Sequence, residues 1–461
     1  MKKLFYAAAC ALLIGSQVFF LTPNVFSQEF GYQFDNVIYE QPFHDFIDKD
    51  NLLNPGNKIL QLPDWTNKTW DKINFNLYYD ILRLNTQFRP TLLWQEGHNA
   101  EFQFFTDEAY LDARFGKSLF LYTGKRNFVE GVAFGFHPTD FLGQFKKVDF
   151  SLREEERRVQ REGNWLVGGD TFFKNLTFSA IYAPHMGNWQ EEQNRVLLKA
   201  RALVESIKTD MALYVYYGDI PSLGLDVAST VSNNLVLFTE SALRRGSQKK
   251  TITVTSMGSE TTPRTFQFNR PDKDKVYAQI VVGGNYTFKD GTNLIGEYIY
   301  NGDGLSSGRW DQFIDFAKYN NNAYSLNFFK DLAASNLSRG VSQMQFGEMR
   351  RNYAFLRASN NTAIQDLDSQ LVLTVNLNDA SWLAYLSIDY QVTKNLIAGV
   401  YGLLNVGKKD SEYGMQYLNT VGLLIRYYFT VPNIFKSEKK GQSGRNAQPI
   451  KVASANEKEI K

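Results

Sequence analysis

Over its last hundred residues the chain places apolar side chains at every second position, and this period constrains the fold more than any other feature. In residues 370–378, Leu371, Leu373, Val375 and Leu377 fall on one face and Gln370, Thr374 and Asn376 on the other. In residues 382–390, Trp382, Ala384, Leu386, Ile388 and Tyr390 oppose Ser387 and Asp389. Residues 396–404 and 417–429 repeat the pattern, the latter setting Val421, Leu423, Ile425, Tyr427 and Phe429 against Thr420, Gly422 and Arg426. A period of two sends alternate side chains to opposite faces of a strand. Sustained over about ten residues and closed by turns such as Val392-Thr393-Lys394-Asn395, it predicts an all-β fold: a transmembrane antiparallel β-barrel with one face to lipid and one to a polar lumen.

Composition agrees with that expectation. The 461 residues are 43% apolar with a mean hydropathy of -0.34, a soluble-looking chain, as it should be when half of every strand faces a polar lumen. Aromatic residues make up 15%, enough to supply girdles at both membrane interfaces. Lys2 and Lys3 followed by an apolar run to residue 21, with Val25-Phe26-Ser27 at the cleavage position, predict a signal peptide over residues 1–27. The single cysteine, Cys10, leaves with that segment, so neither a disulfide framework nor a thiolate site is expected. No later window approaches the ~20 apolar residues of a membrane helix. Export without such a helix, combined with the strand pattern, points to the bacterial outer membrane. The expected partners are outer-membrane lipids, the barrel-assembly machinery and small hydrophilic solutes. A net charge of only +2 argues against a nucleic acid.

Residues 28–71 lack clean alternation and carry Asn54-Pro55-Gly56; they read as an N-terminal extension at the barrel mouth or plugging it. Residues 72–435 read as the barrel. Residues 436–461, rich in Lys, Glu, Ser, Asn and Gly, read as a disordered polar tail. Tight connections such as Lys174-Asn175 and Lys289-Asp290-Gly291-Thr292 alternate with longer polar stretches at 144–163, 246–275 and 301–321. About 360 residues at about 45 to 50 per hairpin with its loop give about 16 strands, within a range of about 14 to 18, wide enough for an aqueous channel.

Ionisable residues inside clean strands should point inward, because Arg or Lys held against lipid at mid-depth costs about 2–4 kcal/mol. This places Glu108, Tyr110, Asp112 and Arg114 inward against Ala109, Leu111, Ala113 and Phe115. It also places Lys199 and Arg201, Glu240 and Arg244, and Arg426 on lumen faces. Glu108, Asp112, Arg114, Lys199, Arg201, Glu240, Arg244 and Arg426 are therefore the candidate pore lining. They either select polar or anionic solutes at a constriction or form paired ladders that stiffen the wall.

The motifs Glu108-Ala109-Tyr110-Leu111-Asp112, Leu121-Tyr122-Thr123-Gly124-Lys125-Arg126, Gly131 and Pro138-Thr139-Asp140 together resemble the third and fourth strands of alginate-export-like outer-membrane porins. Residues 298–304 and Arg426-Tyr427-Tyr428-Phe429 are similar to later features of those porins. The likeness is scattered over about half the chain. It implies a monomeric barrel with a polar lumen; the family's substrate does not follow, because a dense run of inward arginines is missing.

Signals for catalysis fail on context. Gly304-Leu305-Ser306-Ser307-Gly308 matches the nucleophile-elbow pattern, but that elbow needs a strand-to-helix turn and no helix pattern follows here. His44, His98, His137 and His185 lack metal-ligand spacing. Asn301-Gly302-Asp303-Gly304 reads as a turn, and the mixed-charge run Arg153 to Glu162 as a solvated loop or short helix. No cofactor, metal or catalytic residue is expected. The reading is a porin-like channel for passive passage of small hydrophilic or anionic solutes. Its rivals are a structural or surface-binding barrel that works through its long loops and an outer-membrane hydrolase.

Overall fold

A computed structural model describes residues 30–143, 152–159, 161–186, 193–247, 249–259, 261–270, 273–344, 348–362, 364–416 and 418–431. The expected signal peptide and polar tail lie outside the described residues.

Eighteen strands form one sheet that closes on itself. The first, Phe30–Ile47, pairs along one edge with Trp65–Tyr79 and along the other with the last, Leu418–Val431, and neighbouring strands run antiparallel throughout. Closure is what lipid demands, since an open edge would leave a row of backbone N–H and C=O groups without partners. Two short strands, Thr251–Ser256 and Thr265–Asn269, form a separate hairpin in a loop.

Two expectations are corrected here. The barrel has eighteen strands, the top of the expected range of about 14 to 18 and two more than its central value, and it begins at Phe30, not at residue 72. Residues 28–71, read as an extension or plug, hold the whole first strand and the start of the second; only 48–64 is a connecting loop. The first strand escaped notice because Asn36, Glu40 and His44 lie on one face and Asp35, Tyr39 and Gln41 on the other. Polar residues interrupt both faces, so the period of two is masked.

The two ends of the barrel differ. Connections at 80–81, 174–175, 233–234 and 394–395 are two residues long, and both Phe30 and Val431 lie at that end. The opposite end carries 48–64, 127–163, 246–275, 302–351 and 407–417. Short turns on the periplasmic side and long loops outside are the outer-membrane arrangement. The outer surface shows leucine, valine and isoleucine between two rings of exposed aromatics. Tyr79, Phe115, Phe173, Tyr286, Tyr390 and Phe429 mark the turn side; Phe46, Trp65, Trp94, Phe102, Trp165 and Tyr217 mark the loop side. Amphipathic rings at both levels fix the barrel's depth in a bilayer.

Above the loop-side ring sits a small packed cap. Helices Ser307–Ser325 and Lys330–Met344 bury Phe316, Ala317, Leu337 and Val341 against Leu53 of the first loop, Ile252 of the hairpin and Met415 of the last loop. Ser306 is the N-cap residue of the first helix, so a helix does follow the Gly304–Gly308 motif, contrary to the sequence expectation. Its second half, Asn320-Asn321-Asn322 included, shows no clean apolar stripe to read. No helix among the described residues is long and apolar enough to cross a membrane.

Glu412 holds this cap to the barrel. Its carboxyl, 2% exposed, accepts from Met349 N (2.8 Å), Tyr353 Oη (2.7 Å) and Asn376 Nδ2 (2.7 Å). Burial pushes the Glu412 carboxyl up to about 7, although the Tyr353 and Met349 donors pull it down. An acid raised on folding contributes stability that is full below its unfolded value, about 4.3, and is lost as pH rises through 7. The Met349 amide should therefore exchange with solvent faster at pH 8 than at pH 5.5 after correction for intrinsic rates. Glu412→Gln should flatten that difference; an equal pH effect in the variant would refute the assignment.

Candidate functional site

Between strands Leu119–Arg126 and Asn164–Phe173, the described residues 127–143, 152–159 and 161–163 fold down into the barrel. Ala133 and Leu152 of this insert are buried among inward-facing Tyr39, Phe238, Tyr353 and Tyr385. Two wall carboxylates hold it on one side. Glu240, fully buried, accepts from the backbone N–H groups of Val132 and Ala133 (2.9 Å each) and of Thr139 (2.8 Å), and from the Thr139 hydroxyl (2.8 Å). Glu297 accepts from Phe134 N (2.7 Å) and Gly135 N (2.8 Å). Gly131 makes the approach feasible: its φ is +99°, and a Cβ there would meet the Glu240 carboxylate at 2.5 Å. Next to this anchor, Tyr214 Oη donates to Asp226 (2.7 Å) and lies 3.0 Å from Glu130, which Lys199 pairs at 2.5 Å.

The same insert reaches the opposite wall through arginines. Arg153 grips Asp368 with both terminal nitrogens (2.5 and 2.9 Å) and touches Asp389 at 3.2 Å. Arg426 of the last strand pairs with Asp389 (3.0 Å) and with Glu156 of the insert (3.4 Å). Gly399 leaves room for the Asp389 carboxylate, which a Cβ would strike. Within the insert, Arg161 and Arg158 lie 2.8 and 3.4 Å from Asp140. Burial alone would raise Asp140, but these arginines outweigh it and hold the carboxyl below its usual range. Burial, reinforced by Arg158, pushes the His137 imidazole well below its usual value and keeps it neutral. The run from Arg153 to Glu162 is thus not a solvated loop: it contains the short helix Glu154–Val159, and Arg153, Arg157 and Arg161 are buried. Arg153 meets carboxylates, and Glu156 an arginine, on strands more than two hundred residues away, a signal visible only once the barrel closes.

The eight sequence candidates fall into two groups. Glu108, Lys199, Glu240, Arg244 and Arg426 contact the insert: Glu108 accepts from Asn127 N (2.8 Å), and Arg244 donates to Pro138 O (2.7 Å). Asp112, Arg114 and Arg201 stand apart from it. Asp112 accepts from Asn85 (2.8 Å) and lies 3.8 Å from Arg114, while Arg201 binds Asp210 on the next strand (2.8 Å). Sequence reasoning missed Asp107, because a β-bulge beside it breaks the period and turns both Asp107 and Glu108 inward. Asp107 is fully buried and takes Arg89 in a two-point bond (2.7 and 2.9 Å).

A strip of cations on aromatic rings lines the wall formed by residues 65–126. Arg83 lies over Tyr78 (4.7 Å), Arg114 over Phe120 (5.0 Å), and Arg126 over Tyr110 (5.1 Å), Tyr122 (4.4 Å) and Phe128 (5.5 Å). Guanidinium groups held by ring faces keep their N–H edges directed along the wall. Among the described residues, no cluster of His, Cys, Asp and Glu could hold a metal ion.

No known family profile and no curated protein matches the chain. Solved structures do. Pseudomonas aeruginosa OccK11 (OpdR) superposes with a TM-score of 0.50 at 7% identity, over 88% of this chain and 99% of that one. The fold is that of an outer-membrane porin. Pseudomonas aeruginosa OccK2 (OpdF), solved in complex with glucuronate, also gives a TM-score of 0.50 at 7% identity, over 87% of this chain and 97% of that one. At such identity the likeness concerns the porin barrel alone.

Proposed function

We propose that this chain is a channel of the bacterial outer membrane that passes small hydrophilic solutes, chiefly anions, down their gradients. The observation that carries the reading is the strip of Arg83, Arg114 and Arg126 over aromatic rings inside a closed eighteen-stranded barrel. Arg153 and Arg161 of the insert are bonded to Asp368, Asp389 and Asp140, whereas the three guanidinium groups of the strip lie over rings, with Asp112 beside Arg114 at the longer distance of 3.8 Å. A wall of that kind lowers the cost of taking an anion out of bulk water, and the rings offer contact to an apolar or sugar body. The glucuronate bound by OccK2 (OpdF) is a solute of this chemistry on the same fold. The finer resemblance to alginate-export-like porins rests on the short motifs around residues 108–140 and 298–304.

No catalytic group is needed. The test is single-channel conductance of the refolded protein in a planar bilayer under a salt gradient. Steady conductance with an anion-selective reversal potential is the expected result, and Arg83→Glu with Arg126→Glu should move that potential toward cation selectivity. A folded but silent barrel would overturn the channel reading. It would favour a surface-binding protein working through the packed cap of Ser307–Ser325 and Lys330–Met344.

A further inference from the structure

One part of the lipid-facing surface is built differently from the rest. Around most of the barrel, the band between the aromatic rings is aliphatic, as at Leu213 and Val215, Leu237 and Leu243, and Leu386 and Ile388. On the first two strands it is polar. Tyr39 and Trp70, stacked at 4.6 Å, are buried inside the barrel, and Gln41 bonds Tyr401 there. Alternation therefore turns Asn36, Glu40, Asn67, Thr69 and Asp71 outward. They are linked sideways: Asn36 donates to Asp71 (3.1 Å), while Asn67 (2.6 Å) and Thr69 (2.5 Å) donate to Glu40.

Register gives their depth. Asn36 is paired with Phe429 of the turn-side ring, and His44 with Trp65 of the loop-side ring, so Glu40 stands four residues from either level. That is the middle of the apolar band, where a carboxyl group finds neither water nor a lipid headgroup. Beside it, the pairing of the first strand with the last is interrupted at Gln41 and Pro42, a proline having no N–H to give.

We infer, in place of the monomer that the sequence resemblance implies, that a second copy of this chain covers the patch in the membrane, about a two-fold axis along the membrane normal that passes close to Glu40 and Thr69. Such an axis keeps every residue at its own depth and sets the same surface against itself. Across the two strands Glu40 pairs with Thr69, Asp71 with Ile38, and Asn67 with Pro42. The patch carries donors (Asn36, Asn67, Thr69) beside acceptors (Glu40, Asp71), so the same surface on a second copy offers each carboxyl group a donor. A head-to-tail ring would instead set the patch against a face such as Leu213 and Val215, which offers no donor.

A photo-crosslinking residue in place of Thr69, expressed in the outer membrane, tests this, with the same group at Leu213, seven strands away, as control. The expected result is an adduct of two copies of this chain from position 69 and none from 213. The double variant E40L/D71L should abolish the adduct while conductance is kept. An adduct to a different protein, no two-copy adduct, or an equal adduct from both positions would overturn the inference. Should E40L/D71L fail to fold, the number of wild-type copies per lipid nanodisc decides: two supports the contact and one overturns it.

Discussion

Replacing Glu240 and Glu297 together by alanine is expected to raise single-channel conductance several-fold and make it noisy. The two carboxylates accept five backbone N–H groups, those of Val132, Ala133, Phe134, Gly135 and Thr139, and one hydroxyl. Hydrogen bonds to a charged acceptor contribute about 1.5–3 kcal/mol each, and a buried donor left without one costs about as much again. Losing both anchors removes most of the hydrogen bonds that hold residues 131–139 to this wall, so the segment should leave the wall and widen the path. Glu240→Gln keeps the shape but presents one neutral acceptor oxygen, and its effect should be smaller. Unchanged conductance in the double variant would show that the arginines alone position the insert.

Asp389→Leu should be the most damaging single change in the wall. The carboxylate is shared by Arg153 and Arg426, all three nearly buried, and removing it leaves two guanidinium groups short of a partner. Breaking a buried ion pair from one side costs about 3–5 kcal/mol. Unfolding in urea from lipid vesicles should show that loss. Combining Asp389→Leu with Arg426→Leu should cost less than the sum of the singles by at least about 1 kcal/mol, the signature of groups in one network. Strict additivity would mean that the two side chains act independently and that the network is misread.

Both predictions rest on an insert that the sequence announced only obscurely. Gly131, Pro138, Thr139 and Asp140 stood out as a motif without a stated task, and the task is geometric: a glycine at positive φ lets the backbone meet Glu240, and Thr139 supplies both an N–H and a hydroxyl. Glu240 itself was legible as inward-facing, since Leu235, Leu237 and Leu243 define the opposite face. Its partners were not, because they lie more than a hundred residues earlier in a segment with no period. Asp107 was hidden by a bulge that a strict alternation rule passes over.

What the sequence determined by itself was the closed β-barrel, its membrane band and the faces of its regular strands, because side-chain alternation is a local property of ten or so neighbouring residues. The tertiary structure decided the rest. The first strand pairs from Phe30 despite polar residues on both faces, because closing the sheet satisfies its whole backbone. Arg153 and Glu156 leave water for the lumen because Asp368, Asp389 and Arg426 of distant strands meet them there once the barrel closes. Such pairings join residues far apart in the chain, and no local period encodes them.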